Sequence, residues 1–181
     1  MTTEELISHI RVIPDFPVKG IMFQDVTTLF KDPACLAELS DRIYELYKDK
    51  GITKVVGIES RGFVLGAIVA ARLGAGFVPA RKPGRLPAEK VVEVYEKEYG
   101  TDSVEIHTGA IDGNDVVLVH DDLLATGGTF GAAYRLVNRF SPEKVYLNCI
   151  VNLVDCPRRE VYPDDVPVTS IIEICEHPEN V

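Results

Sequence analysis

The chain is short of positive charge: 19 lysines and arginines stand against 28 aspartates and glutamates, a formal net charge of -9. A general nucleic-acid binder needs a positive face for the phosphate backbone, so that class is disfavoured, although local basic clusters stay open. Cysteine is scarce too. Cys35, Cys149, Cys156 and Cys175 include no CxxC pair, which argues against a zinc centre, a redox pair or a disulfide-stapled secreted domain. Their plain reading is buried or incidental free thiols. The opening residues, MTTEELISHIRVIPDF, have neither a basic start nor an apolar stretch, so no signal peptide is expected. The longest mostly apolar run, Gly62 to Leu73, is too short to span a bilayer and contains Arg72. No internal repeat, low-complexity tract or linker divides the sequence. These absences predict a cytoplasmic protein with no membrane or nucleic-acid partner.

What is present is ordinary globular material, 46% hydrophobic and 26% charged over 181 residues. That length predicts a single domain, 1–181, with enough buried surface for a core without staples. Thr2 and Glu5 fit a capping box that opens a short helix reaching about Arg11. Pro14 and Pro17 then break the pattern, and IPDFPVKGIMFQD reads as an irregular segment. Asp32 and Pro33 suit the N-cap and first turn of a helix whose apolar stripe is Leu36, Leu39, Ile43 and Leu46.

From residue 54 onward, strands and helices alternate. Strands are expected at 54–58, 77–80, 116–119 and 144–153, helices at 62–73 and 128–140, and a hairpin over 91–107 turning at Gly100. In the second helix Ala133, Leu136, Val137 and Phe140 point inward. Such alternation implies an α/β fold, a central mostly parallel sheet flanked by helices. Ligands then bind beyond the carboxyl ends of the strands, which directs attention to the loops at 59–62, 81–89 and 120–129.

The last of these carries the most chemistry. VVLVHDDLLATGGTF, residues 116–130, is an apolar strand, an acidic pair and a Thr/Gly turn opening a helix. A helix start leaves amides unpaired and carries partial positive charge, which suits a phosphate. Gly127 and Gly128 allow close backbone approach, and Thr126 and Thr129 add hydroxyls. Asp121 and Asp122 would repel a phosphate; they suit vicinal sugar hydroxyls and a divalent cation beside it. The combination describes a ribose 5-phosphate pocket. No GxxxxGK[ST] exists, and the GxG at Gly74 and Gly76 precedes a strand rather than joining strand to helix.

This stretch resembles the phosphoribosyl pyrophosphate signature of the type I phosphoribosyltransferases, and DDLLATGGT is similar to its adenine-using branch. The likeness extends to PDFPVKGIMFQD, GIESRGF (57–63), ARKPGRLP (80–87) and EKEYG (96–100). It implies transfer of ribose 5-phosphate from phosphoribosyl pyrophosphate to adenine, yielding AMP and pyrophosphate, with Mg2+ held mainly through substrate phosphates and ribose hydroxyls and no metal site of protein ligands alone. It further implies a small base-binding hood at about 1–32, a flexible hairpin lid at about 82–104 and a homodimer.

Residue roles follow from the same resemblance. Asp121, Asp122, Ala125, Thr126, Gly127, Gly128 and Thr129 would hold the phosphoribosyl group. Hypoxanthine–guanine relatives place an acid where this chain has Ala125, so proton exchange with the base must come from elsewhere. Glu98 of the lid is the candidate, with Tyr99 beside it. Phe23 would stack on the purine with Leu123 on its other face, and main-chain groups near Met22 and Gln24 would read its edge. Gln24 stands where relatives often carry a basic residue, a departure that backbone readout survives and that bears against a role for the side chain. Ser60, Arg61, Arg81, Lys82 and Arg85 would clamp pyrophosphate, Arg61 catalytically and Arg81 by reaching a second subunit's site. The Glu59–Ser60 peptide is expected to be strained or cis. His9, His107, His120 and His177 are scattered and read as neither ligands nor catalysts, His120 being a satisfied strand-end residue. Two other readings stay open: a xanthine-using enzyme, whose phosphate loop usually carries an asparagine, and a non-catalytic sensor of phosphoribosyl pyrophosphate, whose DNA-reading segment has no counterpart here.

Overall fold

The computed structural model describes residues 1–96, 100–159 and 162–175. In chain order the elements are α1 (Thr3–Ser8), β1 (Arg11–Pro14), β2 (Met22–Asp25), α2 (Thr27–Lys31), α3 (Pro33–Tyr47), β3 (Lys54–Ile58) and α4 (Gly62–Leu73). They continue as β4 (Gly76–Ala80), β5 (Lys90–Glu96), β6 (Thr101–His107), β7 (Val116–Leu124), α5 (Gly128–Asn138), β8 (Lys144–Leu153) and β9 (Val168–Ile174).

Five strands form a parallel sheet in the order β4-β3-β7-β8-β9. Consecutive side chains point to opposite faces, and here both faces are covered, so the central strands read as continuous apolar runs. Val56, Val117 and Val119 pack with Phe130, Ala133, Leu136 and Val137 of α5. Val55 and Leu118 pack on the other face with Leu39 and Ile43 of α3 and Leu65 and Val69 of α4. The chain leaves β3 toward β4 on one side and β7 toward β8 on the other. Their carboxyl ends therefore flank a topological switch point, where such sheets open a crevice.

Several expectations are corrected. The first helix ends at Ser8, capped by His9, because Arg11 already pairs with Asp25 across an antiparallel ladder. The segment expected to be irregular thus contributes two short strands, with Pro14 at the end of β1 where its missing N–H costs nothing. Helix α2 was not anticipated, and neither was β9, whose mixed polar sequence reflects an edge strand of mostly intermediate burial. In α3 the buried i, i+4 row runs through Cys35, Leu39, Ile43 and Tyr47, so Leu46 lies off that face and is 43% exposed. Strand β7 continues through Leu124 and carries the acidic pair within its ladder, and α5 ends at Asn138.

A buried polar chain crosses the sheet beneath the crevice. His120 Nδ1 donates to Asn148 Oδ1 (2.9 Å), Asn148 Nδ2 donates to Thr169 Oγ1 (3.1 Å), and Thr169 Oγ1 lies 2.5 Å from Tyr47 Oη. His120 is neither at the strand end nor fully satisfied, since its Nε2 is buried without a hydrogen-bond partner. Burial outweighs the Asn148 contact and brings its pKa from 6.5 down to about 4. Between those values the unfolded chain binds a proton that the folded one refuses, so stability is full above about pH 6.5 and falls toward pH 4. The expected loss is about 3 kcal/mol, measured by chemical denaturation at stepped pH, and His120→Gln should remove that part of the profile.

Candidate active site

The carboxyl ends of β3 and β7 and the start of α5 enclose a cavity of about 310 Å³. Its walls include Glu59, Ser60 and Arg61 after β3, Lys82 after β4, Asp121 and Asp122 in β7, and the run 123–130. Sheet geometry explains the gathering: parallel neighbours deliver their C-terminal loops to one end.

Gly127 is the N-cap of α5 and sits at φ 87°, a left-handed conformation that glycine adopts without strain. No side chain caps this helix. Its first-turn amides therefore have no side-chain oxygen to bond and stand at the positive end of the helix dipole, against the cavity. Thr126 and Thr129 line the same wall, and Thr129 Oγ1 lies 2.9 Å from Tyr95 Oη of the β5–β6 hairpin. This is a site built for an anion.

Opposite in sign are the two carboxylates. The Asp122 side chain is only 3% exposed and accepts a hydrogen bond and ion pair from Arg61 Nε. Burial opposes the Arg61 charge, but the bond and charge of Asp122 more than offset it and raise its pKa above the ordinary value. Asp121 is pushed well above the usual carboxylate range, first by loss of solvent and then by the adjacent Asp122. Both carboxyl groups stand in the cavity wall.

The basic residues divide. Arg61 also lies 5.9 Å from the centre of the Phe23 ring, which links the β1–β2 ladder to the cavity. Lys82 Nζ donates to Asp102 Oδ2 (2.6 Å), and that pairing raises its pKa against the opposing effect of burial. Arg81 does not line the cavity: it donates to Glu59, which does, at 3.0 and 3.2 Å and to the Arg85 carbonyl at 3.1 Å. Its hydrogen bonds hold the Glu59 carboxyl below the ordinary range. Arg85 is exposed and contributes no wall.

Met22, Phe23 and Gln24 do not line the cavity; they occupy β2 beside it. Gln24 is buried, with Nε2 donating to the Met22 carbonyl (3.3 Å). Leu123 and Ala125 are in the wall. Glu98 and Tyr99 lie outside the described residues, as does His177. The Glu59–Ser60 peptide is cis. Sequence reasoning missed Glu59, Tyr95 and Asp102, whose importance arises from pairings across 22, 34 and 20 positions that no local pattern displays. Among the described residues one potential metal-ligating group occurs, His9, Asp32 and Cys35. There, Asp32 Oδ1 caps α3 through the amides of Ala34 and Cys35.

Comparison with known proteins agrees with this geometry. The family model for the phosphoribosyl transferase domain matches residues 25–181. An adenine phosphoribosyltransferase of Bacteroides thetaiotaomicron is 63% identical over 174 residues, covering 96% of this chain and 99% of that one. The crystal structure of adenine phosphoribosyltransferase from Rhodothermus marinus superimposes with a TM-score of 0.86 at 44% identity, covering 95% of this chain and 98% of that one. The Giardia lamblia enzyme, solved with 9-deazaadenine, gives 0.84 at 38% identity over 96% and 98% of the two chains.

Glycine at the β3–α4 junction keeps the two strand ends together. A Cβ on Gly62 would sit 2.7 Å from the His120 carbonyl oxygen and 3.0 Å from Asp121 Oδ1, and the backbone cannot yield as a side chain would. Gly62→Ala should therefore lower the unfolding free energy by about 1–3 kcal/mol, read by denaturant titration.

Proposed function

We infer the chemistry of this pocket from one premise: the chain belongs to the phosphoribosyltransferase family, and within it to the adenine phosphoribosyltransferases. It transfers the ribose 5-phosphate group of phosphoribosyl pyrophosphate to adenine, forming AMP and pyrophosphate in purine salvage. One juxtaposition carries the assignment of roles: an uncapped helix start and a carboxylate pair share one cavity.

The amides and hydroxyls of Ala125, Thr126, Gly127, Gly128 and Thr129 hold the 5′-phosphate. Asp121 and Asp122 hold the ribose hydroxyls. Ser60, Arg61 and Lys82 take the pyrophosphate. Arg61 is bonded to Asp122, so an incoming sugar competes for that carboxylate and frees the guanidinium for the leaving group. Positive charge placed where negative charge accumulates lowers the barrier to breaking the C1′–oxygen bond. Mg2+ fits this site, because the donors on offer are hard carboxylate oxygens of Asp121 and Asp122 beside the substrate's own oxygens. When bound it would neutralise charge on the departing pyrophosphate.

Adenine stacks on Phe23 and against Leu123, and N9 attacks C1′ from the face opposite the leaving group. Gln24 is tied to Met22, which supports reading of the base edge by the backbone of residues 22–24 rather than by this side chain. Phe16, Val18 and Ile21, 50%, 62% and 45% exposed beside β2, supply apolar surface for such a hood over about 1–32. Glu98 exchanges the proton of the base, with Tyr99 adjacent, and closure of the lid at about 82–104 excludes water and prevents hydrolysis. The enzyme works as a cytoplasmic homodimer; Arg81 and Arg85 border the site, and Arg81 must leave Glu59 to reach a second subunit.

Assays with adenine, xanthine, hypoxanthine and guanine in the presence of magnesium test this reading. Adenine should be preferred by at least about 100-fold, since backbone groups matched to one edge are left unpaired by the others. Preference for xanthine would shift the assignment to that base, and binding without turnover would make the chain a sensor. Glu98→Gln should lower turnover while leaving the affinity for phosphoribosyl pyrophosphate near normal; unchanged turnover removes its proton-exchange role.

A further inference from the structure

The phosphate wall has a back as well as a front, and a segment assigned to no role occupies it. Four successive carbonyls, those of Leu124, Ala125, Thr126 and Gly127, are each bound by residues that follow β8. Arg158 Nη1 donates to the carbonyls of Leu124 (3.4 Å) and Ala125. The Arg159 amide donates to Thr126 O (2.8 Å), and Tyr162 Oη donates to Gly127 O (3.5 Å). The other arm of the Arg158 fork, Nη2, donates to Asn152 Oδ1 and to the Leu153 carbonyl (2.9 Å). One guanidinium thus fastens the phosphate loop to the end of the neighbouring strand.

The direction of these bonds matters. In a trans peptide the carbonyl of one residue and the amide of the next point opposite ways. Drawing the carbonyls of residues 124–127 toward Arg158, Arg159 and Tyr162 turns the amides of residues 125–128 away from them. Those residues line the cavity on their other side. The loop has little else to hold it in this sense: Gly127 has wide conformational freedom, and no side chain caps α5. A planar fork reaching two carbonyls with one arm and β8 with the other is a task for arginine, because lysine offers a single point donor.

We propose that Arg158 is a positioning residue for the 5′-phosphate: by holding the carbonyls of Leu124 and Ala125 from behind, it presents the loop amides to the substrate. It touches no substrate itself. The inference rests on the assignment of residues 125–129 to the 5′-phosphate, and the experiment separates the two.

Affinities for AMP and for adenine alone are measured by calorimetry, together with the KM for phosphoribosyl pyrophosphate, in Arg158→Ala, Arg158→Lys and Thr126→Ala. For Arg158→Ala the AMP affinity should fall by about 10- to 100-fold and the KM for phosphoribosyl pyrophosphate rise alike, with adenine affinity within about 2-fold. Arg158→Lys, which keeps the charge and lacks the fork, should recover only a small part of the loss. Where Arg158→Ala does not fold, Arg158→Lys carries the test, and weakened AMP with unchanged adenine is again the expected result. Full recovery in the lysine variant, or equal losses for AMP and adenine, overturns the proposal. If Thr126→Ala weakens AMP and the Arg158 variants do not, the proposal fails while the phosphate assignment stands. If neither the Thr126 nor the Arg158 variants alter AMP affinity, the phosphate assignment itself is overturned, and this proposal with it.

Discussion

Asp122 presents a carboxylate almost wholly withdrawn from water, and a charge so placed requires a counter-charge. Arg61 provides it. Because Arg61 belongs to the loop after β3 and Asp122 to β7, the pair draws two strand ends together across the switch point of the sheet. It also connects to Phe23 through the ring face, so one guanidinium joins the sheet, a buried carboxylate and the β1–β2 ladder. The three meet around a single cation, and a change at any of them alters its environment.

Around that pair the scaffold is rigid where it can be and small where it must be. Central strands buried on both faces fix the heights of Asp121, Asp122 and Ser60 relative to one another. Gly57 lies against the Phe77 ring, where a Cβ would come within 2.6 Å, and this lets α4 descend close to the sheet. The β5–β6 hairpin approaches from the other side, bound through Lys82–Asp102 and Tyr95–Thr129. The hairpin is thereby in contact with the cavity wall itself.

Local patterns made the frame readable. The continuous apolar run of Val116–Val119, the cap formed by Asp32 before Pro33, and the run from Gly62 to Leu73 each announced their element because local preference and tertiary context agree there. The turn from β7 into α5 was readable for the same reason: a glycine suited to positive φ, flanking threonines and an acidic pair are local features. What escaped was decided at a distance. Strand β9 is an edge whose side chains are only partly buried, and β1 and β2 owe their form to each other. Glu59 and Arg81 are partners across 22 positions and Arg61 and Asp122 across 61, so neither pairing could follow from a local pattern. His120 looked like the end of a strand because the acids after it are polar; in the fold those acids prolong the strand and leave His120 enclosed.

The polar chain from His120 through Asn148 and Thr169 to Tyr47 binds the history of these positions together. His120 and Asn148 lie out of reach of water and are joined donor to acceptor, so a lone replacement there strands one of the two inside apolar packing. Substitutions along this line must travel as sets. A lineage of such chains would cross from one arrangement to another in few, coordinated jumps, while the apolar residues on either side drift one at a time.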